Sequence, residues 1–340
     1  MPEIAITTEY GTKNKLMKRT GEFNMMNNNF IFKNGTINGM KAFADTVQRA
    51  LELCYGDSVR IVVDNVQKNN NVTLTGVTII KNGCNLNPTI YLEPYFSAYK
   101  AGTTMAVICK DIMKVYEEHS VSHNFDTTLV TDFIKVRSNV CFKVINAERN
   151  RELLKTIPHK MMLDLAVVFY IEVSQDKDGN GTILVQNYFL DMWNGIDTDI
   201  LYKLALANTQ RKYRGCVCNM VTVMSEILDE EFANQFFELM LDGDAPMYVA
   251  TNVQKVWGAG VILYDNLLKT FAEHIGGDFY ILPSSTHEVL FVPAYVGFDA
   301  KSLKQMVKEV NATEVSEQEF LSNNIYYYSM DDDRMEIVQP

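Results

Sequence analysis

The chain has 340 residues, 47% hydrophobic and 21% charged, which provides for a sizeable apolar core and about two domains. Its formal net charge of -11 repels polyanions, so nucleic acid is not an expected partner without a strong local basic patch. The longest apolar run, Leu165 to Ile171, is far short of the roughly 20 residues that cross a bilayer, and the start Met1-Pro-Glu-Ile-Ala lacks the pattern of an export signal.

Residues 1–37 are polar and rich in Asn, Lys and Thr, with Asn27-Asn28-Asn29 and Asn34-Gly35 interrupting what apolar content exists; they read as a flexible tail. Periodicity begins at Met40. Met40, Phe43, Ala44, Val47, Ala50, Leu51 and Cys54 form one stripe of an amphipathic helix that Gly56 ends. Strands follow over Val59 to Val66, Val72 to Ile80 and Thr89 to Leu92, with Lys68-Asn69-Asn70-Asn71 as the first turn. Met105 to Glu118 reads as a second helix.

The middle repeats this mixture. A strand over Cys141 to Ile145 leads to a short helix, Glu148 to Lys155, and then a long strand, Met161 to Val173, which turns back through Thr182 to Gln186. Helices are expected around 198–209, 219–229 and 231–241. Arg211, Lys212 and Arg214 precede Gly215, where cations complement a helix C-terminus.

A new unit is expected from Ala245-Pro246. Strands over Met247 to Thr251 and Ala259 to Leu263 precede a helix carrying Leu267, Leu268, Phe271, Ala272 and Ile275. Two strands flank the segment Pro283 to Glu288, and a helix around Leu303 to Val310 and a strand over Ile325 to Tyr328 complete the pattern. Strands adjoin strands more often than they alternate with helices. The expected class is therefore α+β, with mainly antiparallel sheets flanked by amphipathic helices. The expected divisions are the tail at 1–37, an N-terminal domain at 38–244 and a C-terminal domain at 245–340.

Several motifs fail on inspection. Asp176-Lys-Asp-Gly-Asn-Gly matches the opening of an EF-hand loop, but its twelfth position is Asn187 and its flanks are β-rich, so a hairpin turn is expected. Cys216-Val-Cys218 offers two thiols and no second pair for zinc. His287-Glu288 is followed by Phe291 where a zinc-protease helix needs its second His. Neither phosphate-cradling glycine pattern occurs, and no cofactor or metal is expected. Six scattered Cys in a chain this long read as reduced thiols of a cytoplasmic protein.

The densest knot of reactive groups is Ser284, Ser285, Thr286, His287 and Glu288. A hydrolase would use Ser284 or Ser285 as nucleophile, His287 as base, and Glu288 or a remote acid to orient it. Neighbouring strand residues diverge, however, and no Gly-x-Ser-x-Gly elbow is present. The alternative is a polar turn bonded to its own backbone.

Asn70-Asn-Val-Thr-Leu-Thr-Gly-Val-Thr-Ile79, Asn87-Pro-Thr-Ile-Tyr-Leu92, Leu163-Asp-Leu-Ala-Val-Val-Phe-Tyr170, Gly258-Ala-Gly-Val-Ile-Leu-Tyr264 and Phe279 through Pro293 together resemble domain of unknown function 5688. The resemblance runs from about residue 40 to the C-terminus. It implies a bacterial, intracellular protein and carries over no activity, cofactor or catalytic residue. We therefore expect a soluble cytoplasmic protein that acts by binding or regulation, its partner being a protein, peptide or small molecule. The alternative is the Ser/His hydrolase.

Overall fold

The computed structural model describes residues 37–81, 87–120, 127–173, 181–227 and 247–339. The expected tail lies outside them apart from its last residue. So do the greater part of the expected 176–181 turn, the helix expected over 231–241, His123 and Cys84. The described chain falls into two compact units, the first built chiefly from residues up to Val66 and from Thr73 to 120. The second takes Gln67–Val72, Thr127–Val173 and the chain from Ile183 onward.

In the first unit, helix α1 (Met40–Tyr55) buries Phe43, Ala44, Val47, Ala50 and Leu51, the stripe its 3.6-residue period dictates. Strands β1 (Val59–Gln67), β2 (Thr73–Lys81) and β3 (Thr89–Tyr91) form a sheet in that order. Helices α2 (Glu93–Lys100) and α3 (Met105–His119) follow. Val77 and Ile79 of β2 pack with Leu51 of α1 and Ile108 and Ile112 of α3 in one cluster. Each such side chain contributes about 1.5–3 kcal/mol when fully buried. Phe43 meets Phe96 and Tyr99 at centroid distances of 5.2 and 5.6 Å.

The second unit contains two sheets. Its chain order begins with α4 (Thr128–Thr131), α5 (Phe133–Val136), β4 (Val140–Asn146), α6 (Arg151–Leu154), β5 (His159–Met162), β6 (Leu165–Glu172) and β7 (Thr182–Leu184). Next come α7 (Asn187–Met192), α8 (Thr198–Lys212), β8 (Gly215–Asn219), α9 (Met220–Ile227) and β9 (Tyr248–Asn252). The order closes with α10 (Leu267–Ile275), β10 (Phe279–Leu282), β11 (Val289–Pro293), α11 (Ala300–Thr313), β12 (Tyr326–Ser329) and β13 (Arg334–Ile337). The first sheet runs β4-β6-β5 with β7 paired to β6, and every residue of β6 is buried. The second runs β13-β12-β10-β11-β9-β8, and its registered pairs are antiparallel. The class is α+β.

Strand alternation gives the six-stranded sheet two different faces. Phe279 and Phe291 point to one side and meet Phe271 of α10 at 4.8 and 4.9 Å. Leu282 and Val292 point to the other and cluster with Leu303 and Val307 of α11. In the same unit, Asn70 and Asn71 adopt left-handed φ of 58° and 61°, a conformation asparagine tolerates. The Asn70 amide donates to Asn150 Oδ1 at 2.8 Å, and its side chain donates to the carbonyls of Glu317 and Phe320.

Two expectations require revision. The long strand over Met161 to Val173 is two strands, β5 and β6, because Leu163 takes φ 55° and folds Met162 back onto Leu165. Asp164 in that turn accepts from Ser322 Oγ at 2.5 Å, Asn324 Nδ2 at 3.0 Å and the Tyr326 hydroxyl at 2.6 Å. The run Ala259 to Leu263 is a 3-10 helix over Gly258–Leu263, since a short apolar run does not by itself distinguish a buried strand from a buried helix. Strands β8 and β9, on either side of the expected 244/245 boundary, pair with each other and lie in the second unit.

Candidate functional site

Pro283 to Glu288 cross between β10 and β11, hemmed on two sides. Glu319 to Ser322 run antiparallel on one side. There the Thr286 amide donates to the Glu319 carbonyl at 2.8 Å, and the Leu321 and Ser322 amides donate to the carbonyls of Ser284 and Pro283. The chain after β9 lies on the other side. Its Thr251 hydroxyl donates to the His287 carbonyl at 2.7 Å, and the Ala259 amide donates to the Thr286 carbonyl at 3.2 Å. Gly258 is needed at this crossing, because a Cβ there would lie 2.0 Å from Thr251 Oγ1 and 2.4 Å from the His287 carbonyl oxygen. Lys255 and Trp257, on the same loop, hold left-handed φ of 55° and 49°. Such a conformation costs about 1–2 kcal/mol per residue, so the surrounding bonds must enforce it.

The side chains of the turn are committed in specific ways. The Trp257 amide donates to His287 Nδ1 at 3.3 Å, which leaves the ring hydrogen of the neutral imidazole on Nε2. Nε2 faces Glu319 Oε1 at 3.4 Å. The His287 amide donates to Ser285 Oγ at 3.0 Å, and the Ser285 hydroxyl also lies against the Glu288 carboxylate. Burial lifts the Glu288 carboxyl above the ordinary glutamate range, opposed by His287 and by Ser285, with the Glu319 charge adding a smaller upward push. Ser285 and Thr286 are buried, and Ser284 is half-buried.

The structure therefore brings Ser285, His287 and Glu288 together and adds Glu319, the remote carboxylate. Neither ring nitrogen of His287 bonds a serine hydroxyl, the contact by which a base activates a nucleophile. Glu319 had no sequence signal, since it belongs to a polar helix-to-strand connection. Among the other histidines, His119 ends α3 with Nδ1 against the Val115 carbonyl, His159 opens β5, and His274 is exposed on α10.

A second polar centre lies at the end of β6. Glu172, whose side chain is 2% exposed, pairs with Lys212 Nζ at 2.5 Å and accepts from the Tyr213 hydroxyl. Lys212 also donates to Asn139 Oδ1 at 3.1 Å. Burial pushes the neighbouring Cys141 thiol up to about 12, aided by the Glu172 charge, which makes this thiol inert. Lys212 does sit in the last turn of α8, as the sequence suggests, but Glu172 rather than the helix dipole is its main partner. A single carboxylate closing an otherwise apolar strand was the available signal.

The third feature is a groove of about 510 Å3 beside edge strand β13. Tyr280, Tyr327 and Glu336 stand in one row across β10, β12 and β13, joined in the lining by Leu163, Arg334 and Val338. The rings of Tyr280 and Tyr327 meet edge-on at 5.2 Å. The Tyr327 hydroxyl donates to Asp278 at 2.6 Å, and that bond together with the Met330 amide holds the Asp278 carboxyl below its usual range. Strand β13 was not expected from the sequence, because its Arg-Met-Glu-Ile run alternates but spans only four residues.

Among the described residues there is no group of three or more His, Cys, Asp or Glu side chains able to hold a metal, and no helix long and apolar enough to cross a membrane. No curated protein and no solved structure matches the chain. A family model described as a family of unknown function, DUF5688, matches residues 40–330. With most of its length matched, the chain belongs to that family.

Proposed function

We propose that the protein is a cytoplasmic binding protein that takes an extended peptide along the edge of β13. One observation carries this reading: a roomy groove lies beside a terminal strand of the six-stranded sheet. An edge strand presents a row of backbone donors and acceptors that an added strand satisfies, while pockets for alternate side chains confer selectivity. Tyr280 and Tyr327 offer apolar ring surface, and Arg334 offers an exposed cation to an acidic side chain. Free thiols at Cys54, Cys109, Cys141, Cys216 and Cys218 agree with a reducing compartment.

The test is fluorescence titration of the full chain with a panel of labelled seven-residue extended peptides carrying an apolar residue two positions from an acidic one. Binding that falls by about tenfold or more in Tyr327→Ala, the scale of a lost contact residue, supports the proposal. Arg334→Ala should discriminate selectively against the acidic members. Absence of binding across the panel, or binding indifferent to both substitutions, overturns it.

A further inference from the structure

The opposite edge of the same sheet carries different chemistry. Strand β8 lies at the end of the order, and Cys216 and Cys218 are two residues apart on it, so their side chains share one face. Cys218 is exposed and Cys216 is half-buried, and neither is in a disulfide. The two side chains are close neighbours on that face.

We propose that Cys216 and Cys218 form a two-thiolate site for a soft, two-coordinate cation, with cuprous copper the class it fits. Donor number favours that ion. Zinc sites take four donors, and the described residues supply no cluster of three. A linear cuprous bis-thiolate needs only two, and thiolates select that ion by softness.

Reach favours a bridging ion over a disulfide. Residues i and i+2 of a strand have Cα atoms about 6.6 Å apart, at the upper limit of disulfide geometry, so closing a disulfide would strain β8. Two sulfurs at positions i and i+2 on one strand face can instead turn toward each other and straddle one ion with little backbone movement. Binding displaces two thiol protons and forms two Cu–S bonds, leaving one net negative charge. No electron is transferred. This site is independent of the groove at β13.

Anaerobic titration of the full chain against the cuprous–bicinchoninate complex tests the assignment, read as loss of the chromophore's absorbance. Wild type and Cys54→Ser, which removes an exposed cysteine elsewhere, should each withdraw one equivalent. Cys216→Ser and Cys218→Ser should each lose about 100-fold or more in affinity, the scale by which two linked donors exceed one. Circular dichroism spectra matching wild type show that the variants are folded. If the Cys216→Ser/Cys218→Ser double variant withdraws copper as wild type does, or wild type fails to compete, the assignment is wrong.

Discussion

Glu172 and Glu288 are both carboxylates drawn out of water beside core strands of one unit, and the protein treats them in opposite ways. Glu172 meets an ammonium and a phenol within its burial shell. Glu288 has the Ser285 hydroxyl as its hydrogen-bonding side chain and a carboxyl lifted by burial. A buried acid with a dedicated cation is part of the scaffold, and removing that cation exposes the full desolvation cost. A buried acid without a dedicated cation holds its proton more tightly because burial outweighs its weaker partners, so folding responds to pH through it.

The largest effect should come from Lys212→Met, which strands Glu172 without a counter-charge and should cost about 3–5 kcal/mol in urea denaturation. Adding Glu172→Gln should restore much of that loss; equal stabilities of the single and double variants would show that the two groups are not coupled. Tyr213→Phe removes a hydroxyl donated to a charged group and should cost about 1.5–3 kcal/mol by the same measurement. Ser285→Ala, at the other acid, should cost about 1 kcal/mol, because it removes one ordinary hydrogen-bonding group.

The smallest and most specific effect is the pH response of Glu288→Gln. The folded carboxyl binds its proton more tightly than the unfolded one, so the stability it contributes is fully present below the ordinary glutamate range. That contribution is lost as pH rises through the folded value. Wild type should therefore lose stability relative to Glu288→Gln from the ordinary glutamate range upward and then run parallel to it. Thermal melts of both proteins across that range test this, and parallel curves throughout would contradict the lifted carboxyl.

The helices and most strands were legible because their signals are local. The stripe from Phe43 to Leu51 identifies α1, and its five central positions are buried. Runs such as Leu165 to Ile171 identify a core strand, yet the break at Leu163 was invisible because its cause is Asp164's contacts with Ser322, Asn324 and Tyr326. The Ala259 to Leu263 run misled for a related reason: its backbone is set by crossing partners at Thr251 and Thr286. At the polar turn, the residue types were legible. Their commitments were not, since His287 is claimed by the Trp257 amide and Glu319, and neither has a fixed spacing from it.

Asp164 bears on how the second unit is made as well as how it is held. Its carboxylate waits for partners up to 162 positions later in the chain. Loop-closure entropy rises only as the logarithm of length, so this separation is tolerable at equilibrium. During synthesis it acts as a delay, because the turn after β5 stays unsatisfied until the segment from Ser322 to Tyr326 has left the ribosome. A nascent chain stalled before Ser322 should therefore expose this turn to proteases that the finished protein resists.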